Sequence, residues 1–149
     1  MDLFYCFKPN FSDIDAMNVV HHSRHFIWFE NARFVFLENI IKMNRSDFAQ
    51  LGVAMPVIEA NCCYKNMILF EHKIRIETKM YYSKVGRFAF KYRMYCNDEN
   101  TQYVAEGYTK HVFVSSDTKK LIISIPPLLI EKINMAKALY PNLFLPYEN

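Results

Sequence analysis

Residues 24–42 constrain the fold more than any other stretch, because they read as a helix with almost no side left for water. At 3.6 residues per turn, Arg24, Asn31, Glu38 and Lys42 fall on one narrow stripe. Phe26, Ile27, Trp28, Phe29, Val35, Phe36, Leu37, Ile40 and Ile41 cover most of the remaining surface. Such a helix must be wrapped by other structure, and an antiparallel sheet curling around it is the simplest cover.

The strands for that sheet follow in the chain. After Gly52 the apolar period changes to two: Ile74, Ile76, Thr78 and Met80 alternate with Lys73, Arg75, Glu77 and Lys79. Phe88, Phe90, Tyr92 and Met94 likewise alternate with Arg87, Lys91 and Arg93. One face of each strand is apolar and the other charged, the mark of half-buried antiparallel strands. Turn signals at residues 83–86 and 97–100 join them into a meander, with a flanking strand over 103–115 and another over 57–64. Residues 3–10 read as an edge strand and residues 126–138 as a short amphipathic helix. The expected fold class is α+β, a hotdog arrangement in which about five antiparallel strands wrap one long central helix, with a short C-terminal helix.

Composition bounds the setting. At 149 residues, 52% hydrophobic and 16% aromatic, the chain is expected to be one domain over residues 1–149, with enough apolar side chains for a core. A net charge of +3 is mildly basic, which favours anionic small molecules but lacks the clustered footprint of a nucleic-acid binder. Residues 1–8 have no basic segment followed by a long apolar run, and nothing approaches the roughly 18 apolar residues of a membrane span. A cytoplasmic protein with no membrane partner is therefore expected. Cys6, Cys62, Cys63 and Cys96 lack zinc-site spacing and are expected to be free, mostly buried thiols.

Chemistry concentrates just before the helix, in the polar loop of residues 11–23. It places the Asp15 carboxylate beside a helix N-terminus, whose unpaired N–H groups and partial positive charge can stabilise an oxyanion while Asp15 attacks or activates water. The plainer role for Asp15 is to cap the turn or the helix. His21 and His25 are spaced i and i+4, so with Asp15 they can clamp a metal, but no further ligand pattern supports one and no metal or other cofactor is expected. His22 can orient substrate or simply pack. Glu30 and Arg33, at i and i+3, read as a structural ion pair. Lys84, Arg87, Lys91 and Lys110 read as a solvated strand face that can also dock phosphates.

The run from Asp13 to His22, followed by Trp28, Glu30, Ala32 and Arg33, resembles the 4-hydroxybenzoyl-CoA thioesterase family of acyl-CoA thioesterases. That family's signature is D-x-D-x-x-G-x-V, an aromatic or His/Asn pair, then W/F-x-E-x-A-R. Residues 52–59 with Tyr64, residues 105–114, and Ile125-Pro126-Pro127 resemble later blocks in the same order, so the likeness spans nearly the whole chain. The resemblance implies thioester hydrolysis with Asp15 as catalytic carboxylate and the backbone N–H at His22 polarising the thioester carbonyl. It also implies an acyl pocket between two subunits, with CoA along their surface. Asn18 stands where the family has glycine; Asn best tolerates a left-handed backbone among the other residues, so the turn can survive. Asn66 stands where relatives often carry proline, in a loop that bears on substrate choice.

These observations lead to an acyl-CoA thioesterase acting on an apolar acyl or aroyl group, carried by CoA or by acyl carrier protein. The site residues expected are Asp15 and His22 for catalysis, with His21, His25, Arg87, Lys91 and Lys110 binding substrate. A homodimer, pairing again to a tetramer, is expected because a single sheet around one helix leaves strand edges and an apolar pocket open. Two alternatives are a hotdog hydratase or dehydratase, whose D-x-N-x-x-H pattern the Asp15, His21 and His22 spacing does not match, and a non-catalytic acyl-binding protein.

Overall fold

The structure, a computed structural model, describes residues 3–83, 86–97 and 102–146. In chain order its elements are β1 (Phe4–Phe7), α1 (Arg24–Phe36) with a π-helical extension (Leu37–Ile41), α2 (Arg45–Gln50), β2 (Val53–Ala54), β3 (Val57–Tyr64) and β4 (Ile74–Tyr82). There follow β5 (Phe88–Cys96), β6 (Tyr103–His111), β7 (Phe113–Ser115), β8 (Leu121–Ile122), α3 (Pro127–Leu139) and β9 (Phe144–Pro146). The main sheet has the order β1-β4-β5-β6-β3, antiparallel throughout, and β9 adds a short parallel pairing to β4. A small sheet of β2, β7 and β8 stands apart.

This is the hotdog arrangement expected from the helix. Trp28, Phe29, Ala32 and Phe36 of α1 are buried, and so are Ile74, Ile76, Thr78 and Met80 of β4 and Phe88, Phe90, Tyr92 and Met94 of β5. Phe29 stacks on Tyr92 with ring centroids 4.5 Å apart, and Phe36 meets Phe90 edge-on at 5.7 Å. The helix can lie this close because β6 has no side chain at Gly107. A Cβ there would come within 2.7 Å of the Phe29 ring and closer still to the Asn61 carbonyl on β3.

Several details depart from the pattern. Among the described residues the sheet holds the path of five strands expected and gains a sixth, β9, which joins it after α3. The expected strand over 103–115 divides at Val112, where β7 leaves for the small sheet. The expected strand over 3–10 stops at Phe7, two residues before Pro9, which has no N–H to donate to a ladder. The last helical turn is π rather than α and ends at Lys42 with φ 61°. The turns expected at 83–86 and 97–100 include residues outside those described. The thiols are free, but "mostly buried" is corrected: Cys96 alone is buried, Cys62 is half-buried, and Cys6 and Cys63 are exposed. Cys6 and Cys63 sit on the outermost strands on the face turned away from the core, whereas their neighbours Tyr5, Phe7 and Cys62 pack against it.

The helix is not wrapped on every side. Phe26 and Ile27 remain 36% and 47% exposed, and β3, at the end of the sheet, leaves Val57 and Ile58 45% and 59% exposed. Among the described residues, no helix is long and apolar enough to cross a membrane.

Candidate active site

The loop before α1 is built around its two acids, which do different work. Asp13 is buried; its carboxylate accepts the Asn10 N–H at 2.7 Å and pairs with Arg24 Nε at 3.2 Å, so it ties the loop to the first turn of α1. Asp15 opens a tight turn closed by Asp15 N–H to the Val19 carbonyl at 2.8 Å and Asn18 N–H to the Asp15 carbonyl at 3.0 Å. Asn18 sits at φ 64°, the left-handed conformation expected where relatives have glycine. Asp15 Oδ1 accepts the N–H groups of Met17 and Val19 at 2.8 and 3.4 Å. Its Oδ2 takes no hydrogen bond from the described residues, and the side chain is half-buried. Asp15 thus fills its capping role with one oxygen and keeps the other free.

The start of α1 is arranged so that one N–H stays open. Arg24 N–H goes to the His21 carbonyl at 3.0 Å, and Ser23 N–H to His21 Nδ1 at 3.2 Å. The His22 carbonyl accepts the Tyr64 hydroxyl at 2.9 Å. Among the described residues, His22 N–H has no acceptor. Val20 N–H reaches the Ile68 carbonyl at 2.8 Å, which joins this loop to residues 65–68. Between them lies a cleft of about 370 Å³, walled by Val19, Val20, His22, His25, Tyr64 and residues 65–68. Asp15 stands at its border through the bonds to Val19.

The histidines separate in role. His21 is exposed, and its Nδ1 is engaged with Ser23 Oγ at 2.7 Å. His22 is exposed, with its ring 4.3 Å from that of His21. His25 is buried between Tyr64 and Trp28, at centroid distances of 4.7 and 5.6 Å. Burial pushes its pKa down to about 4, against a smaller opposing pull from the His22 and His21 carbonyls, so the ring is neutral near pH 7. Its Nδ1 finds no hydrogen-bond partner among the described residues. Among the described residues no three His, Cys, Asp or Glu side chains come together as a metal site.

The basic residues lie elsewhere. Lys91 is exposed on the outer sheet face, its Nζ 5.4 Å from the Tyr81 ring centre. It lines a concavity of about 330 Å³ of mixed charge, bounded also by Glu77, Lys79, Arg93 and Glu106. Lys110 pairs with Glu59 at 2.9 Å. The register Tyr64↔Ala105 against Val57↔His111 puts Tyr64 and His22 at one end of the sheet, with Arg87 and Lys110 at the other. Within one chain, then, the structure brings Asp15, His21, His22 and His25 together but not Arg87, Lys91 or Lys110. Lys84 is outside the described residues.

Glu30 and Arg33 do form an ion pair, at 3.4 Å, with Arg33 buried and Glu30 exposed. Arg33 also donates to Tyr92 Oη and Thr109 Oγ1 at 3.4 and 3.5 Å, and His111 Nε2 completes the network at 2.8 Å from Thr109 Oγ1. Burial, then the Arg33 charge, lowers the His111 pKa to about 4. The polar thread from helix to sheet gave no sequence signal beyond the Glu30–Arg33 spacing.

A family model described as the Thioesterase-like superfamily matches residues 9–133. A hypothetical protein of Aquifex aeolicus, known from a crystal structure, is 28% identical with a TM-score of 0.77, over 87% of this chain and 98% of that one. DHNA-CoA thioesterase of Staphylococcus aureus gives a TM-score of 0.81 at 23% identity, over 99% of each chain. A second S. aureus protein, solved in complex with CoA, gives 0.80 at 12% identity, over 100% of this chain and 89% of its own. The two S. aureus likenesses are of fold.

Proposed function

The chain belongs to the Thioesterase-like superfamily and is a thioester hydrolase, and from that premise we propose that Asp15 and the His22 N–H are the working parts of a cytoplasmic acyl-CoA thioesterase of one domain. The observation that carries this reading is the His22 N–H, left without an acceptor at a helix start beside a cleft that the Asp15 turn borders. A thioester carbonyl seated there accepts that N–H, and the charge that develops on its oxygen meets the positive end of α1. The free Oδ2 of Asp15 then acts in one of two ways. It attacks the carbonyl carbon and expels the thiolate, leaving an anhydride that water cleaves, or it takes a proton from water as that water attacks. Both routes yield the free acid and the thiol. His21 braces the helix start, and neutral His25 forms part of the wall.

The acyl group proposed is apolar, and an aroyl group of the kind handled by the S. aureus DHNA-CoA enzyme fits walls made by Val19, Val20, Tyr64 and Met67. Acyl carrier protein presents the same phosphopantetheine arm as CoA and is the other candidate donor. A turnover assay across a panel of acyl-CoA and aroyl-CoA thioesters tests the reading; a chain that cleaves none of them overturns it.

The working unit is proposed to be a homodimer joined at the open edge of β3, with pairing to a tetramer as a further step. Two β3 strands meeting antiparallel set the Tyr64 end of one subunit beside the Val57 end of the other. That carries Arg87 and Lys110, remote from His22 within a chain, toward the second subunit's cleft. Light scattering at micromolar concentration is expected to give at least twice the 17.8 kDa of one chain; a value of 17.8 kDa contradicts the shared site.

Phosphates docked on such exposed cations are screened by salt, whereas an apolar acyl pocket is not. KM for acyl-CoA is therefore expected to rise severalfold from low salt to about 0.5 M, with kcat nearly constant. A flat KM removes Arg87, Lys91 and Lys110 from the nucleotide site.

A further inference from the structure

We propose that Tyr64 is a positioning residue of the hydrolytic site: from the end of β3, its hydroxyl holds the His22 carbonyl and so fixes the direction of the His22 N–H. The inference rests on the thioesterase reading and adds to it a residue that never meets the reacting atoms.

Two peptide planes set where that N–H points. The plane between His21 and His22 is held at its carbonyl by Arg24 N–H, 3.0 Å away. The plane between His22 and Ser23 is held on both sides, by Ser23 N–H to His21 Nδ1 at 3.2 Å and by the Tyr64 hydroxyl to the His22 carbonyl at 2.9 Å. With both planes fixed, φ and ψ of His22 are fixed. Two of these three hydrogen bonds lie wholly within residues 21–24 and move with the loop. Tyr64 is 42 residues away and is anchored by its ladder to β6, so among the described residues its hydroxyl makes the hydrogen bond that ties residues 21–24 to a strand of the sheet.

The surroundings of Tyr64 suit that task better than a packing role. The residue is 44% exposed, so it adds little to the core. It stands edge-on to His25 at 4.7 Å and to His22 at 6.5 Å, which sets its angle to the helix start. Burial, then neighbouring Cys62, raises the phenol pKa to about 12, so the hydroxyl remains a donor across any assay range. An oxyanion donor works by being aimed before the charge arrives, and loosening its aim costs rate without costing substrate binding.

The test compares wild type with Tyr64→Phe on an acyl-CoA that the wild type cleaves, alongside hydrogen exchange of the segment 19–26. Expected are a fall in kcat of about 10- to 100-fold, KM within about twofold, an unshifted pH profile, and faster exchange in residues 19–26. A kcat within about threefold of wild type overturns the proposal, and so does a kcat loss without faster exchange there. A variant that melts more than about 10 °C lower or no longer assembles makes the role structural, which also overturns it. If wild type cleaves no acyl thioester, the thioesterase reading and this inference fall together; failure of Tyr64→Phe alone leaves that reading standing.

Discussion

Asp15→Asn is expected to lower kcat by about 10²- to 10⁴-fold while the fold, the assembly and KM change little. The substitution separates the two jobs of this side chain. Oδ1 accepts Met17 and Val19 N–H within the turn, and an Asn Oδ1 accepts them nearly as well, so the structural cost is well under about 1 kcal/mol. Oδ2, free of hydrogen bonds from the described residues, becomes an amide nitrogen with neither basicity nor nucleophilicity. Retention of more than about a tenth of wild-type kcat places the chemistry elsewhere, with His22 the next residue to test. Melting temperature measured on the same sample distinguishes lost chemistry from a lost turn.

Acid is expected to unfold the protein well before its carboxylates are all protonated. His25 and His111 are both buried, with pKa values near 4 in the folded state against 6.5 unfolded. Below pH 6.5 the unfolded chain takes up protons that the folded chain refuses until about pH 4. Stability is therefore full above pH 6.5, declines between 6.5 and 4, and levels off below that. At 1.36 kcal/mol per pH unit, each histidine contributes on the order of 3 kcal/mol at most, a large share of the 5–15 kcal/mol typical of a domain. Thermal melts from pH 7.5 to 4.5 check this; a melting temperature that does not fall across that range contradicts the neutral, buried state of both rings.

What was legible in the chain was what repeats. The 3.6-residue pattern located α1, and the alternation located β4 and β5, because burial on one side stamps a period onto neighbouring residues, whereas β3 and β6 were legible only as flanking strands beside turn signals. The left-handed turn at Asn18 was legible for a different reason: few side chains accept that backbone, so an Asn in place of glycine is informative. Contacts made once left no such trace. The Tyr64 hydroxyl reaches a carbonyl 42 residues away, and Arg33 meets Thr109 across the core. Neither depends on spacing along the chain. The parallel strand β9 carries Pro146 and has three residues, too few to show a period. The basic residues illustrate the converse, since alternation placed Lys91 on an outer face but could not say which end of which strand lies near His22.

The order of elements has a consequence for how the protein is made. The central helix ends at Ile41, but the strands that cover it run from Ile74 to His111. At a synthesis rate of about 5–20 residues per second, the helix emerges from the ribosome roughly 4–14 seconds before the last of its cover. For that interval Trp28, Phe29, Phe36, Ile40 and Ile41 have no sheet to lie against. The nascent chain is then a sticky amphiphile in search of a partner, and a newborn copy from a neighbouring ribosome is one candidate. Moving the helix behind the meander by circular permutation would shorten that exposure.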